Sequence, residues 1–231
     1  MITKSFSKFH GSRLAAALAA VACIGLASTA SATMITGSIS SPPANSSTNP
    51  IDISAGTAAW AYYGYGATTT GTFSPGNTAN FSQLASIGQY SPGHSASGGS
   101  VWLTFPSAPS GPSTEFVYTW GTGAAGNSYT YSLTTTLLAP SETLNLYLLS
   151  FDSASNLSAT LSSGSGSYTN GGAVFPATPG STGNGSGQGH GYAVLSLAIT
   201  GASTGDVLTF TDTTNIAGVT GVSSPNGNVG L

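Results

Sequence analysis

Basic residues are almost absent from this sequence, and those that occur are confined to its beginning. Only three of the 231 residues are Lys or Arg, and none follows Arg13. Affinity for nucleic acids and anionic lipids comes from Lys and Arg that neutralise phosphates. Phosphoryl transfer, recognition of carboxylate substrates and Schiff-base chemistry also depend on a positioned cation. The sequence therefore excludes nucleic acid as a partner and disfavours these enzyme classes.

The first 32 residues are arranged like an export signal. Basic residues up to Arg13 precede an apolar segment, residues 14–27, and small residues then lead to Ala32. The apolar segment is shorter than the roughly twenty residues that a membrane-spanning helix needs. We therefore predict cleavage after Ala32 and a secreted mature chain, residues 33–231, without a membrane span.

Cysteine is equally scarce, since Cys23 is the single one and lies inside the predicted signal. Its removal would leave no disulfide, no thiol nucleophile and no cysteine metal site. Residues 20–23 distantly resemble a lipoprotein box, which makes lipidation of Cys23 an alternative to simple cleavage. The large aliphatic residue that such a box prefers three positions before the cysteine is missing.

What the sequence has in abundance is Gly, Ser and Thr between short segments of alternating apolar and polar residues. The alternation predicts strands with one apolar face each, and no comparable helical spacing occurs after residue 33. Leu144, Leu146 and Leu148 share one such face. The predicted strands are residues 100–105, 115–120, 128–138, 143–151, 156–162, 192–200 and 206–211. Two further strand faces carry Leu157, Ala159 and Leu161, and Leu195, Leu197 and Ile199.

This pattern predicts an all-β fold with a single domain, residues 52–231, built as a two-sheet antiparallel β-sandwich. Residues 33–51 are polar and contain several prolines, so we expect a flexible leader with little to bury. Residues 175–191 are rich in glycine and lie between two predicted strands, which indicates a surface loop.

Several segments resemble a group of secreted bacterial surface proteins that often carry PEP-CTERM (exosortase-recognised) sorting tails. The segments are Trp60–Gly64, Tyr118–Trp120, Glu142–Leu148 with Asn156–Ser162, and Gly227–Leu231. The resemblance implies a jelly-roll sandwich exposed at the cell surface or in the extracellular matrix. It also implies that the natural chain continues past Leu231 into a Pro-Glu-Pro box, an apolar segment and a basic end. A freely secreted protein is the alternative.

Trp60, Tyr62, Tyr63 and Tyr65 concentrate four aromatic rings in six positions. In a strand, Trp60 and Tyr62 point to one face and Tyr63 and Tyr65 to the other. One set belongs to the core, and an exposed opposite set would form a surface on which sugar rings stack. These four residues are the candidate carbohydrate-binding site, and plain strand packing is the alternative.

The remaining polar residues do not form a recognisable catalytic arrangement. His94 and His190 lie among loop-forming residues, and no Gly-x-Ser-x-Gly motif accompanies them. We assign the acids to turns and strand ends, where a strand's length separates each obvious pair. No cofactor is predicted, although Asp152 could hold a structural calcium with neighbouring oxygens. The six acids are Asp52, Glu115, Glu142, Asp152, Asp206 and Asp212.

These observations predict an exported, non-catalytic protein of the bacterial cell surface or extracellular matrix. Its partners would be extracellular polysaccharide or other matrix proteins. A carbohydrate-binding module for neutral or basic polysaccharide is the first alternative. The second alternative is a secreted hydrolase that combines an acid with His94 or His190.

Overall fold

Alternation of apolar and polar side chains produces strands throughout the part of the chain that the structure describes. The structure is a computed structural model and describes residues 32–65, 71–75, 81, 85–87, 92–95, 101, 103–104, 116–119, 130–151, 154–175, 190–215 and 228–231. The chain divides into two units, Met1–Ala32 and Thr33–Leu231. All the strands named below belong to the second unit. None of the described residues forms a helix of the length and hydropathy needed to cross a membrane.

Fifteen strands follow one another along the described part of the chain. In order, they are β1 (Met34–Ser40), β2 (Ile51–Asp52), β3 (Ala61–Tyr65), β4 (Gly71–Pro75), β5 (Ala85–Ile87), β6 (Pro92–Ser95), β7 (Leu103–Thr104), β8 (Phe116–Thr119), β9 (Thr130–Thr136), β10 (Glu142–Phe151), β11 (Ala154–Leu161), β12 (Ser167–Ala173), β13 (His190–Thr200), β14 (Val207–Asn215) and β15 (Asn228–Gly230).

Among the described residues, two larger antiparallel sheets dominate. One has the order β1-β13-β10-β15-β8-β6 and the other the order β12-β11-β14-β9-β5. Two short pairs accompany them: β2 runs parallel to β7, and β3 runs antiparallel to β4. The predicted all-β fold of two antiparallel sheets is confirmed.

The two larger sheets pack face to face around the main hydrophobic core. Leu148 and Leu195 contribute from the first sheet, and Leu157 and Phe210 from the second, all of them almost completely buried. The predicted apolar faces are confirmed, because the alternate residues of β10, β11 and β13 named from the sequence all lie in or against this core. Burial of such side chains stabilises each strand by roughly 1.5–3 kcal/mol per residue.

A second hydrophobic cluster covers the outer face of the first sheet. Leu149 on β10 and Tyr192 on β13 are opposite one another in the ladder and point away from the main core. Tyr62, Val101 and Leu103 pack on them. The segments around β2, β3 and β7 therefore form a layer over this face, and that layer builds the candidate site.

The prediction that residues 33–51 form a flexible leader is wrong for the first part of this segment. Met34–Ser40 forms β1, which pairs residue by residue with β13. Ile35 is buried in the main core, whereas most other β1 side chains are exposed. A strand at the edge of a sheet needs few apolar residues, since its backbone hydrogen bonds and one buried side chain hold it in place.

Both histidines that the sequence placed in loops lie in strands. His94 pairs with Val117 in the β6–β8 ladder, and His190 pairs with Phe151 in the β10–β13 ladder. Backbone pairing decides these assignments, and it does not depend on the Gly and Ser neighbours that suggested loops. Residues 176–189 of the predicted glycine-rich loop lie outside the described residues.

Candidate functional site

The aromatic segment singled out from the sequence forms β3 and separates its rings between two environments. Tyr62 packs in the outer cluster and Tyr63 in the main core, as the alternation of a strand requires. Both side chains are more than nine-tenths buried. The prediction of an exposed aromatic face is therefore wrong for these two residues, because layers of the protein cover both faces of β3.

Trp60 and Tyr65 complete the predicted set. Trp60 is half-buried and packs against the outer cluster, so part of its indole remains accessible. Tyr65 is the last residue of β3, and the structure describes its backbone but not its side chain. Among those of the four predicted residues whose side chains are described, Trp60 is therefore the most accessible.

A cleft of about 630 Å³ opens beside these rings, at one edge of the sandwich. This volume lies within the roughly 300–1,000 Å³ that ligand pockets usually have. Its walls come from the segment that leads into β3, from the end of β9 and from the beginning of β10. The residues that matter for its chemistry are Asp52, Trp60, Tyr62, Tyr63, Thr135, Thr136, Glu142, Asn145 and Tyr147.

The hydroxyls of Tyr63 and Tyr147 in this cleft stay neutral. Burial raises the pKa of Tyr63 and of Tyr147 above the ordinary value of a tyrosine. A neutral phenol can both donate and accept a hydrogen bond. The cleft wall therefore combines apolar ring faces with hydroxyl and amide groups, which suits a ligand that has both.

Asp52 lies at the end of β2 and lines the cleft with a carboxylate held by a short turn. Its Oδ1 accepts hydrogen bonds from Ser54 Oγ at 2.6 Å and from the Ser54 backbone N–H at 2.9 Å. These two bonds, the side-chain one first, lower the pKa of Asp52 below its ordinary value. Asp52 is exposed and stays anionic, which makes it a poor general acid.

Glu142 begins β10 and lines the same cleft. Its Oε1 accepts hydrogen bonds from the backbone N–H groups of Leu138 and Ala139, the latter at 2.6 Å. The carboxylate thereby closes the turn between β9 and β10. No pattern in the sequence pairs Asp52 with Glu142, and the fold places both residues along one cleft.

Asp206 also serves a turn, away from the cleft. Its Oδ2 accepts hydrogen bonds from the Ser203 backbone N–H at 3.1 Å and from Ser163 Oγ at 3.3 Å. The interpretation of Asp52, Glu142 and Asp206 as turn and strand-end residues fits all three positions.

Asp212 does not fit that interpretation. The sequence placed it at the end of a strand covering residues 206–211, but β14 continues to Asn215 and directs the Asp212 side chain into the interior. Its Oδ2 accepts hydrogen bonds from the hydroxyls of Tyr131 and Ser155, both at 3.3 Å, and Oδ1 has no hydrogen-bond partner among the described residues. Burial raises the pKa of Asp212 to about 8, against the weaker lowering effect of the two hydroxyls.

The remaining candidates lie on separate strands or outside the described residues. His94 and His190 lie on different strands, and their side chains are outside the description. Asp152, proposed as a calcium ligand, and Glu115 also lie outside the described residues. Within the described part, no three His, Cys, Asp or Glu residues group as metal ligands would.

The Asp52 and Glu142 turns each have a recognisable signal in the sequence. Asp52 stands two residues before Ser54, the spacing of an Asx turn, and Glu142 follows Pro140-Ser141 at the start of a strongly alternating strand. No sequence pattern indicates that Asp52 and Glu142 line the same cleft, because the position of Asp52 depends on the pairing of β2 with β7.

No protein-family model and no curated protein sequence matches this chain. Among solved structures, the enzymatically active domain of tailspike protein 4 from bacteriophage CBA120 is similar over 66% of this chain and 18% of that chain, with a TM-score of 0.35 and 10% identity. The chain thus spans less than a fifth of that protein's length. A likeness at this level identifies neither a fold family nor an activity.

Proposed function

We propose that this chain is an exported, non-catalytic protein of the bacterial cell surface or extracellular matrix. One observation carries the non-catalytic part: each of the four described carboxylates is engaged in holding the fold. Asp52, Glu142 and Asp206 close turns through hydrogen bonds to nearby residues, and Asp212 lies in the core. A hydrolase of the kind considered above also needs a general acid that carries a proton to the substrate, and the hydrogen bonds that lower the pKa of Asp52 keep this carboxyl ionised.

Export is supported by the signal-like first 32 residues and by the absence of Lys and Arg beyond residue 13. The experiment is fractionation of the producing bacterium followed by N-terminal sequencing of the protein. We expect the protein in the medium or at the surface, beginning at Thr33. Recovery of the protein mainly from the cytoplasm, with residues 1–32 still attached, would contradict the proposal.

A second function, saccharide binding, is favoured by the cleft. Trp60 offers a partly accessible aromatic face, and hydroxyl and amide groups of Thr135, Asn145 and Tyr147 line the same space. Sugars present apolar CH faces to aromatic rings and hydroxyls to polar groups, so this wall suits a neutral or basic polysaccharide. The cleft, rather than an exposed strand face, is the proposed binding surface.

The binding test is a glycan array probed with the purified chain and with two variants. Trp60→Ala removes the accessible ring, whereas Tyr63→Phe keeps a buried ring and removes only its hydroxyl. We expect retention on neutral or basic glycans that Trp60→Ala weakens by about tenfold or more, as loss of one aromatic stacking contact implies. The absence of retention on every glycan would remove this second function and leave the first unaffected.

A further inference from the structure

The two carboxylates in the cleft are held in the same way, through one oxygen each. The two hydrogen bonds that Asp52 accepts from Ser54 end on Oδ1, and the two that Glu142 accepts from Leu138 and Ala139 end on Oε1. Asp52 Oδ2 and Glu142 Oε2 take no part in these four bonds. Each acid is therefore oriented by the protein and retains one oxygen for an external donor.

We propose that the cleft selects saccharides that carry free amino groups, and that Asp52 and Glu142 are the residues that recognise the ammonium. This inference rests on the saccharide-binding function proposed above and names its ligand class. An ammonium donates charge-assisted hydrogen bonds to carboxylate oxygens, and such bonds are stronger than neutral ones. A polysaccharide of glucosamine units offers this group next to the apolar ring faces that Trp60 can contact.

The charge of the whole chain supports the same ligand class. No Lys or Arg follows Arg13, so no Lys or Arg side chain of residues 33–231 can neutralise Asp52 or Glu142. The Asp52 carboxylate stays ionised because its hydrogen bonds with Ser54 lower its pKa. Two carboxylates without a neighbouring Lys or Arg attract cationic sugars and repel uronic acids and sulfated sugars.

Asn and Gln replacements separate charge from structure at these positions. In Asp52→Asn, the amide oxygen can still accept from Ser54, and in Glu142→Gln the amide oxygen can still accept from the N–H groups of Leu138 and Ala139. Each variant keeps its turn and loses only the negative charge. Asp206→Asn is the matched control, because it makes the same charge change in a turn away from the cleft.

The experiment is titration calorimetry of the purified chain at mildly acidic pH with chitosan oligosaccharide and with chitin oligosaccharide of the same length. The first carries free amines and the second carries them as neutral acetamides. We expect tighter binding of the chitosan oligosaccharide, with a preference that weakens as salt is added. Asp52→Asn and Glu142→Gln should each reduce that preference by about two- to fivefold, and the control should leave it unchanged.

Three results overturn the inference in different ways. Equal affinity for the two oligosaccharides, or a preference that survives both substitutions, removes the selectivity and leaves saccharide binding in place. Binding to neither oligosaccharide and to no glycan of the array removes saccharide binding itself. Release of shorter oligosaccharides would also overturn the inference, since the two carboxylates would then act in hydrolysis.

Discussion

Gly37 on β1 lies against the ring of Tyr168 on β12, so closely that a Cβ at position 37 would stand 2.4 Å from Cε2 of that ring. The two strands belong to different sheets, and both lie at an edge. This approach brings the edges of the sandwich together beside β1. It also ties the first strand of the predicted mature chain to the remainder of the fold.

Replacement of Gly37 by Val should therefore destabilise the protein, because the added methyl groups displace the Tyr168 ring. Overpacking of this kind costs about 1–3 kcal/mol, and the lower end is expected where a side chain rather than backbone must move. Chemical denaturation measures the change. Ser38→Val on the same strand is the control, since Ser38 is exposed.

A double variant identifies the cause. If the ring contact is responsible, Gly37→Val should cost much less in a Tyr168→Ala background than in the original chain. An equal cost in both backgrounds would show that the substitution acts on β1 itself and not through Tyr168.

The buried carboxyl of Asp212 should make stability depend on pH. Its pKa in the folded protein is about 8, against 3.8 as the ordinary value. Between these two pH values the folded state retains a proton that the unfolded state releases, so stability is highest at acidic pH and falls as pH rises through this window. The slope from this group is at most about 1.4 kcal/mol per pH unit.

Asp212→Asn tests this directly, since a neutral amide replaces the carboxyl at nearly the same size. Denaturation midpoints measured at several pH values should fall from acidic to mildly alkaline pH in the original chain and stay nearly flat in Asp212→Asn. Asp206→Asn, which alters a surface turn, should retain the slope. Parallel slopes for the original chain and Asp212→Asn would contradict the assignment.

Glu142 should contribute to stability through its turn and not through its charge. Glu142→Ala leaves the N–H groups of Leu138 and Ala139 without their acceptor and should cost about 1–2 kcal/mol. Glu142→Gln should retain most of that stability, because its amide oxygen accepts the same bonds. Similar losses in the two variants would mean that the charge itself holds the turn.

The sequence was sufficient to predict the strands that carry the core. The apolar alternation in β10, β11 and β13 identifies the buried face of each one, because a strand with a single buried face must place its large side chains two residues apart. The sheet order was not predictable, since it depends on pairing between segments far apart in the chain, such as β1 with β13.

Of the candidate site, only the aromatic residues could be predicted from the sequence. Tyr62 and Tyr63 were identified by composition, but their burial results from layers that cover both faces of β3, which no local pattern reveals. Asp212 was assigned to a strand end because acids seldom occupy core positions. The hydroxyls of Tyr131 and Ser155 that accompany it come from two other strands.

Native mass spectrometry of the purified chain, mixed with oligosaccharides of defined length, tests most directly whether the cleft binds saccharides without cleaving them. The mass of a complex reports both whether a sugar is bound and whether it is intact. We expect a complex of one chain with one intact oligosaccharide. The amount of this complex should be strongly reduced in Trp60→Ala and unchanged in Asp206→Asn. The absence of any complex, or the appearance of shortened oligosaccharides, would contradict a cleft that binds saccharides without cleaving them.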